Sequence, residues 1–239
     1  MAAVALWPHS ALLAQEDNTF ASWTDFTYTY SFNTALGLGG DAGVRGVLSD
    51  PEWSAVYLRP IIIYRNTDQL NFGFSLGAFQ NFNRSAPNLT EIRPAQQVNL
   101  TWPLRPRWSL KSRLRFEERY LEYNSGEPDV PAPGWQYRAR YELKFSTEPA
   151  DLWFMKKIHF LAAGEYFFPL NEEVPELFAD QSRLTVGYGQ DIGQKGSYQL
   201  HFIWQRARHN FEEDFSTDQF ILRIRLYFRN QRFKFVKED

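Results

Sequence analysis

Basic and acidic side chains recur at every second position in several segments of this 239-residue sequence. The clearest runs lie in residues 111–119 and 136–144, where Arg, Lys and Glu alternate with apolar or aromatic residues. An arginine guanidinium donates two parallel hydrogen bonds to a carboxylate or to another oxyanion. Side chains at i and i+2 of a β-strand lie on one face. These residues are therefore expected to form a charged surface that ion-pairs internally or attracts anions.

The alternation assigns charged residues from many segments to this same face. The expected members are Arg59, Arg65, Glu91, Arg93, Lys111, Arg113, Arg115, Glu117, Arg119, Arg138, Arg140, Glu142, Lys144, Glu165, Arg183, Arg223 and Arg225. Basic members outnumber acidic ones, although the whole chain has a formal net charge of −2, so the remaining acids must concentrate in loops. Arg and Lys rings favour anions in pores. Paired Arg and Glu would instead fill the interior as a structural plug, and the pattern leaves both interpretations open.

Catalytic, metal and cofactor chemistry finds little support in the residue pattern. The four histidines are His9, His159, His201 and His209, and no serine spacing near them favours a nucleophilic triad. The chain has no cysteine, which excludes disulfides and thiolate metal sites. A net charge near zero argues against a dedicated nucleic-acid binder. We therefore expect no enzyme, metal or cofactor, and a barrel enzyme that hydrolyses lipids is the weaker alternative.

Strict alternation of apolar and polar residues marks eleven segments after residue 20. In residues 26–32 every even position is aromatic, and in 220–228 every even position is apolar. The predicted strands are 20–33, 37–48, 53–65, 70–82, 91–102, 108–121, 135–145, 158–168, 180–192, 197–208 and 216–228. Several have the length of a tilted strand that crosses a bilayer, which needs about 9–11 residues. Only residues 152–157 suggest a helical turn.

The connections between the predicted strands alternate between short turns and longer polar loops, which is typical of outer-membrane barrels. The sequence thus predicts an all-β fold, a transmembrane antiparallel up-and-down β-barrel of about 10–12 strands. Single-chain bacterial barrels have an even number of strands. We therefore expect either a twelfth strand near residues 15–22 or one false assignment, the weakest being glycine-rich 37–48. Pro60 and Pro94 each predict a bulge or a strand end.

Alternation alone does not decide which face points inward. A soluble barrel buries its apolar face, whereas a membrane barrel turns that face toward lipid and its polar face toward the lumen. With 21 Phe, 12 Tyr and 8 Trp, the apolar face would overfill one closed core. Trp102 and Trp108 flank a short turn, where an interfacial aromatic belt is expected. We favour the membrane barrel; a soluble periplasmic, lipocalin-like carrier of an apolar ligand is the alternative.

Four short motifs carry a resemblance to a known family. They are Glu-x-Arg-x-x-Gln at 91–96, Arg-Leu-Arg-x-Glu-x-Arg at 113–119, Arg-x-Arg-Tyr at 138–141, and a Glu followed by aromatics at 165–168, with a Trp-containing turn at 102–108. The chain resembles an uncharacterised family of Gram-negative outer-membrane β-barrel proteins, catalogued as a domain of unknown function, over roughly residues 20–228. The resemblance implies a barrel and an outer-membrane location, but no established activity. The chain departs from it by continuing beyond Phe228, which would then act as an internal aromatic signal.

The N-terminal residues 1–14 are apolar and uncharged apart from His9, as in the latter part of a secretory signal peptide. Residues 15–239 would then form one barrel domain in the bacterial outer membrane. The expected function is a small passive, porin-like channel or a structural barrel with an Arg/Glu-lined lumen. The expected partners are the lipid bilayer, lipopolysaccharide, the outer-membrane assembly machinery and a small anionic solute.

Overall fold

A computed structural model describes residues 18–49, 53–84, 87–102, 107–124, 132–152, 155–171, 179–193, 195–208 and 216–231. The predicted signal peptide, residues 1–14, lies outside these ranges. The strands are β1 (Thr19–Ser31), β2 (Leu36–Val47), β3 (Trp53–Arg65), β4 (Leu70–Asn83), β5 (Asn88–Trp102), β6 (Trp108–Asn124), β7 (Gly134–Thr147), β8 (Ala150–Leu152), β9 (Met155–Pro169), β10 (Ala179–Ile192), β11 (Gly196–Arg208) and β12 (Ser216–Gln231). Within the described ranges, no helix is long and apolar enough to cross a membrane.

Eleven of these strands close into one barrel, which confirms the predicted all-β barrel fold and all eleven predicted segments. Each barrel strand pairs antiparallel with the next, from β1 to β7 and from β9 to β12. β12 then pairs with β1 in parallel, from Thr19 opposite Gln219 to Ser31 opposite Gln231. Along the described residues the closed ladder leaves no barrel strand with an unpaired edge, so no strand edge is available to pair with another chain.

The expected even number of strands is wrong, and so is a wholly antiparallel closure. In an up-and-down barrel with an odd number of strands, the first and last strands run in the same direction. Only a parallel ladder can then join them. The twelfth strand expected near residues 15–22 does not appear among the described residues, because residues 19–22 begin β1 itself. Residues 15–17 lie outside the described ranges.

The extra short strand, β8, lies in the connection between β7 and β9, where a helical turn over residues 152–157 was predicted. That prediction is wrong for the described part of this segment. Ala150 and Leu152 pair with Ile158 and Met155 of β9, across an irregular register. β8 thus continues the β7–β9 hairpin, and Lys157 takes a positive φ of 55° at the irregularity.

Glycine and proline fit into the strands without breaking them. Glycine-rich β2 pairs with β1 and β3 along most of its length, so the weakest strand prediction is confirmed. The bulge or strand end expected at each proline is not found. Pro60 pairs with Gly40 of β2 and Pro94 with Leu76 of β4, both in unbroken register. The gaps lie in the ladders on the opposite side of each strand, between β3 and β4 at Pro60 and between β5 and β6 at Pro94, because proline lacks the N–H donor for that ladder.

The two faces of the barrel wall have opposite chemistry. Large apolar side chains point outward and stay exposed along the strands, as at Leu58 (60%) and Phe202 (63%). Charged side chains point inward and are buried, as at Glu117 (0%) and Arg119 (3%). A small apolar cluster inside one end joins Ala21, Trp23, Val47, Ile203 and Ile221.

The two rims of the barrel differ in their connections, and we call them the turn rim and the loop rim. The turn rim carries the connections 32–35, 66–69, 103–107 and 193–195, together with the β7–β9 hairpin. The loop rim carries 48–52, 84–87, 125–133, 170–178 and 209–215. β1 begins at the loop rim and β12 ends at the turn rim.

Candidate functional site

The barrel encloses a cavity of about 880 Å³, lined by side chains from all eleven barrel strands. Of the described residues, thirteen basic and four acidic side chains line it. Those among them that the alternation predicted are Arg59, Glu91, Arg93, Lys111, Arg113, Arg115, Arg119, Arg138, Arg140, Glu142, Lys144, Glu165, Arg183, Arg223 and Arg225. Glu117 is buried within the same network, and Arg65 donates to Ser31 Oγ at 3.1 Å near the turn rim.

The Glu91 carboxylate on β5 is held by two arginines. Arg93 Nε and Nη2 lie 2.5 and 2.7 Å from its two oxygens. Arg119 of β6 reaches the same oxygens at 2.7 and 3.0 Å. Both pairs are bidentate, a geometry that fixes direction as well as distance.

Glu117 on β6 lies at the centre of a second group and is fully buried. Arg138 Nη2 and Arg140 Nη1, both on β7, lie 2.7 and 2.8 Å from its oxygens. Arg93 and Arg115 approach it at 3.8 and 3.6 Å. Four guanidinium groups thus surround one carboxylate, which leaves this part of the interior net positive.

Glu165 on β9 lies at the centre of a third group, which shares Arg140 with the group around Glu117. Its Oε1 accepts from Arg140 Nη2 at 2.8 Å and from Arg113 Nη2 at 2.9 Å, and Arg183 lies 3.3 Å from Oε2. Arg113 Nη2 also donates to Glu142 at 2.9 Å. The three groups form one continuous ion-pair network across β5, β6, β7, β9 and β10. We call its members the charged belt: Glu91, Arg93, Arg113, Arg115, Glu117, Arg119, Arg138, Arg140, Glu142, Glu165 and Arg183.

A phenylalanine stands inside the charged belt. Phe167 is 2% exposed, and the guanidinium carbons of Arg138, Arg140 and Arg183 lie 5.1, 4.6 and 5.2 Å from its ring centre. Cation–π contacts of this kind stabilise a desolvated arginine. The sequence reasoning treated this residue only as one of the aromatics that follow Glu165. Phe167 lies two residues after Glu165 on the same strand, and this spacing was the signal that it faces inward.

Two aspartates on the opposite wall were also missed by the sequence reasoning. Asp25 of β1 pairs with Arg223 and Arg225 of β12 and accepts a hydrogen bond from the Tyr57 hydroxyl. Asp41 of β2 accepts from Arg59 Nε and Nη2 at 2.9 and 2.7 Å. These pairs give the predicted arginines of β3 and β12 their carboxylate partners.

The contact between Tyr57 and Asp25 crosses β2 at Gly43. A Cβ atom built on Gly43 would lie 2.6 Å from Asp25 Oδ1 and 2.7 Å from Tyr57 Cε1. The absence of a side chain therefore lets β1 and β3 touch over β2, which explains why this strand tolerates a residue that weakens sheets.

Arg45 of β2 was not among the predicted residues, yet it lines the cavity. Its guanidinium carbon lies 4.4 Å from the Trp23 ring centre and 4.9 Å from that of Tyr57. Tyr57 in turn stacks on Phe79 at 5.4 Å, and Phe79 lies 4.2 Å from the guanidinium of Arg93. Arginines and aromatic rings thus alternate around this wall until they meet the charged belt.

Two lysines line the cavity toward the turn rim. Lys111 of β6 and Lys144 of β7 are direct cross-strand neighbours. Neither forms an ion pair with any described residue, in contrast to the belt arginines. Like charges that face each other across a ladder are unfavourable. This mouth of the cavity therefore carries a concentrated positive charge.

The histidines of the barrel interior contact a glutamine. Nε2 of His159 lies 3.1 Å from the Gln199 amide nitrogen, and Nε2 of His201 lies 3.0 Å from the Gln199 amide oxygen. No cluster of His, Asp or Glu suited to a metal occurs within the described ranges. His9 and His209 lie outside those ranges.

Trp102 and Trp108 lie on the outer face beside the turn rim, where each is nearly half exposed. The indole nitrogen of Trp102 donates to Ser112 Oγ at 3.2 Å. Trp108 stacks on Phe145 with ring centres 4.8 Å apart. Both rings thus lie on the apolar outer face near the barrel end, and Trp102 also contacts a polar side chain there.

Comparison with known proteins adds one match. No curated protein matches the chain. A family model described as "Protein of unknown function (DUF2490)" matches residues 20–216, a range that contains the whole charged belt. The match confirms the resemblance to an uncharacterised family that the motifs indicated. The chain belongs to the DUF2490 family of proteins of unknown function.

Proposed function

We propose that this protein is a bacterial outer-membrane β-barrel whose charged interior admits small anionic solutes, as a narrow porin-like passive channel. The observation that carries the proposal is the inverted sidedness of the wall, with apolar side chains outside and charged ones inside. The proposal has a membrane part and a transport part, which rest on different residues.

The outer face supports the membrane part. Soluble monomers rarely expose a contiguous apolar patch larger than a few hundred Å². Here every barrel strand presents large apolar side chains, each more than a third exposed, to the outside. Lipid is the environment in which such a surface is favourable, and a closed barrel is one of two folds that satisfy their backbone groups there.

The interior charge supports anionic rather than cationic solutes. Thirteen basic side chains line the cavity, against four acidic ones and the two buried carboxylates of Asp25 and Glu117. The described interior is therefore net positive even when all its carboxylates are ionised. Rings of Arg and Lys favour anions in pores.

A plugged structural barrel is the second candidate, favoured by the density of the charged belt. Glu117, Phe167 and Arg119 have almost no exposed surface, so the wall between β5 and β9 is filled with side chains. A belt that extends across the lumen would block conduction while stabilising the barrel. The cavity beside it, about 880 Å³, supports the open alternative.

The interior argues against the soluble lipocalin-like carrier. A carrier of an apolar ligand needs an interior lined mostly by apolar side chains. The interior apolar cluster is small and confined to the loop-rim end, and the remainder of the cavity is charged. A lipid-modifying enzyme would need its catalytic histidine near the outer wall, whereas the two histidines that the structure describes, His159 and His201, lie inside.

The rims suggest an orientation in the membrane. Bacterial barrels keep short turns on the periplasmic side and longer loops outside. The turn rim would then be periplasmic, with Trp102 and Trp108 at that interface. The loop rim would lie among the lipopolysaccharide headgroups. Phe228 lies on the outward face near the end of β12, where the assembly machinery would meet it.

Reconstitution into a planar lipid bilayer tests both parts. The purified barrel, in detergent, is added to one chamber, and the reversal potential is measured in a KCl gradient. We expect small conductance steps and a reversal potential of the sign given by chloride permeation. Cation preference would overturn the transport part, and insertion without conductance would favour the plug. A monomer that stays soluble without detergent would overturn the membrane part.

A further inference from the structure

Arg45 is the one cavity arginine whose described surroundings contain neither an ion pair nor a hydrogen bond. Its Nε is buried without an acceptor. Its contacts are the rings of Trp23 and Tyr57, which reach it from the strands on either side. The N–H groups of a guanidinium lie in its plane, so ring contacts leave them without hydrogen-bond acceptors.

This arrangement contrasts with the other arginines on the same wall. Arg59 and Arg223 pair directly with Asp41 and Asp25. Arg45 is partly buried, and although the charge of Asp25 acts on it, that carboxylate is already paired with Arg223 and Arg225. Burial of a charge is normally accompanied by pairing. The rings of Trp23 and Tyr57 supply part of the stabilisation that Arg45 needs. An anion at its free N–H groups would supply the remainder.

The surroundings of Arg45 indicate what accompanies that anion. The next inward residue of β2 is Val47, which packs in the apolar cluster with Trp23 and with Trp53. Val47, Trp53 and Leu89 line the cavity between Arg45 and the loop rim. A ligand whose charged group meets Arg45 would therefore lay an apolar body along this side of the cavity.

We propose that Arg45 and the apolar wall beside it form a binding site for a small organic monoanion, a carboxylate with an apolar body. A single unpaired guanidinium matches a single negative charge. The planar fork of arginine fits a carboxylate bidentately. This proposal deepens the proposed function by naming a solute class for the same interior, but binding does not require that the barrel conduct.

Calorimetric titration of the full-length barrel in detergent tests the site. The probes are sodium benzoate and benzamide, which have the same ring and differ in the charged group. We expect benzoate to bind and benzamide to bind at least about tenfold more weakly, since benzamide cannot form the charge-assisted hydrogen bonds that a carboxylate forms with a guanidinium. Sodium acetate, which lacks the apolar body, is expected to bind more weakly than benzoate.

Two variants assign the binding to Arg45. Arg45→Gln is expected to weaken benzoate binding about tenfold or more, because it removes the charged fork. The matched control is Arg206→Gln, since Arg206 also stacks on a tryptophan, Trp204, but pairs with Asp218 and does not line the cavity. If Arg45→Gln does not fold, Arg45→Lys keeps the charge without the fork and is still expected to weaken binding.

The outcomes separate this proposal from the proposed function. A barrel that conducts anions but does not bind benzoate, or binds it equally after either change at Arg45, overturns the binding site alone. A barrel that binds benzoate through Arg45 but never conducts overturns only the channel. Equal binding of benzoate and benzamide would show that the apolar wall acts without Arg45, and would also overturn the site.

Discussion

Arg119 and Glu91 form a bidentate ion pair across the β5–β6 ladder, with both side chains almost completely buried. The same carboxylate also receives the bidentate guanidinium of Arg93. One negative charge therefore compensates two buried positive charges. The stability of the charged belt should depend on such shared carboxylates more than on any single arginine.

Glu91→Gln is expected to destabilise the barrel strongly. The change removes the carboxylate charge that the buried Arg93 and Arg119 share, and breaking one partner of a buried ion pair costs about 3–5 kcal/mol. Urea unfolding in detergent, followed by tryptophan fluorescence, measures the change. Glu122→Gln on the exposed outer face of β6 is the control, with an expected change within about 0.5 kcal/mol. Equal unfolding midpoints for both variants would show that the belt does not stabilise the fold.

Lys111→Glu is expected to lower the anion preference of the channel. Lys111 forms no ion pair with a described residue, so the change does not dismantle the belt, whereas a change at Arg113 would disturb Glu142 and Glu165. A unit charge about 4 Å from a solute ion contributes about 1 kcal/mol in water. Because Lys111→Glu changes the charge by two units, we expect about a thirtyfold change in the permeability ratio.

The reversal potential in a KCl gradient measures the effect of Lys111→Glu. Lys156→Glu is the control, because Lys156 is exposed near the same rim and does not line the cavity. The same shift in both variants would mean that general surface charge, and not the cavity mouth, sets the preference.

Gly43→Ala is expected to destabilise the barrel by about 1–3 kcal/mol, because overpacked sites force neighbouring groups apart. The new Cβ would meet Asp25 Oδ1, the Thr24 carbonyl and the Tyr57 ring at 2.6–2.7 Å. Gly46→Ala on the same strand is the matched control, since nothing lies within 4 Å of its Cβ position. The two variants are compared by heating samples to increasing temperatures and measuring on a gel the fraction of protein that still migrates as the folded barrel. A Gly43→Ala barrel as stable as Gly46→Ala would contradict the close contact over β2.

Phe202→Arg separates a lipid-facing wall from a water-facing one. Phe202 is 63% exposed in the middle of β11. An arginine facing lipid near the bilayer centre costs about 2–4 kcal/mol in a membrane barrel. At an exposed position in water the same change would stay within about 0.5 kcal/mol. Folding into lipid vesicles, titrated with urea and compared with Phe202→Leu, measures the cost, and the absence of any cost would contradict the membrane proposal.

Alternation along the chain was sufficient to predict the strands and to place their charges on one face, while the number of aromatic residues on the other face indicated that the charged face points inward. Its period of two is set by the pleat itself, so it survives even in glycine-rich β2. The same parity could have placed Trp23 and Asp25 inside, because the aromatic even positions of β1 point outward. Arg45 could have been found in the same way, as the charged odd position two residues after Gly43.

The closure of the barrel and the ion pairs between its strands could not be derived from the alternation. The parallel ladder between β1 and β12 joins the two ends of the sequence, and no local periodicity records which distant strands become neighbours. The ion pairs depend on the register between strands, as where Arg113 of β6 reaches Glu165 of β9 across β7. The contacts of Phe167 and Arg45 with their neighbours follow from that register, and so they required the structure.

The parallel seam gives the barrel a polarity that an experiment can read directly. Because β1 and β12 run in the same direction, Thr19 and Gln231 lie at opposite rims. A peptide tag joined ahead of Thr19 and a different tag joined after Gln231 would leave the barrel on opposite sides. In a sealed vesicle, added protease would remove one tag and spare the other. A single digestion would therefore report the direction of insertion, and it would carry its own control because one of the two tags is cleaved in either direction.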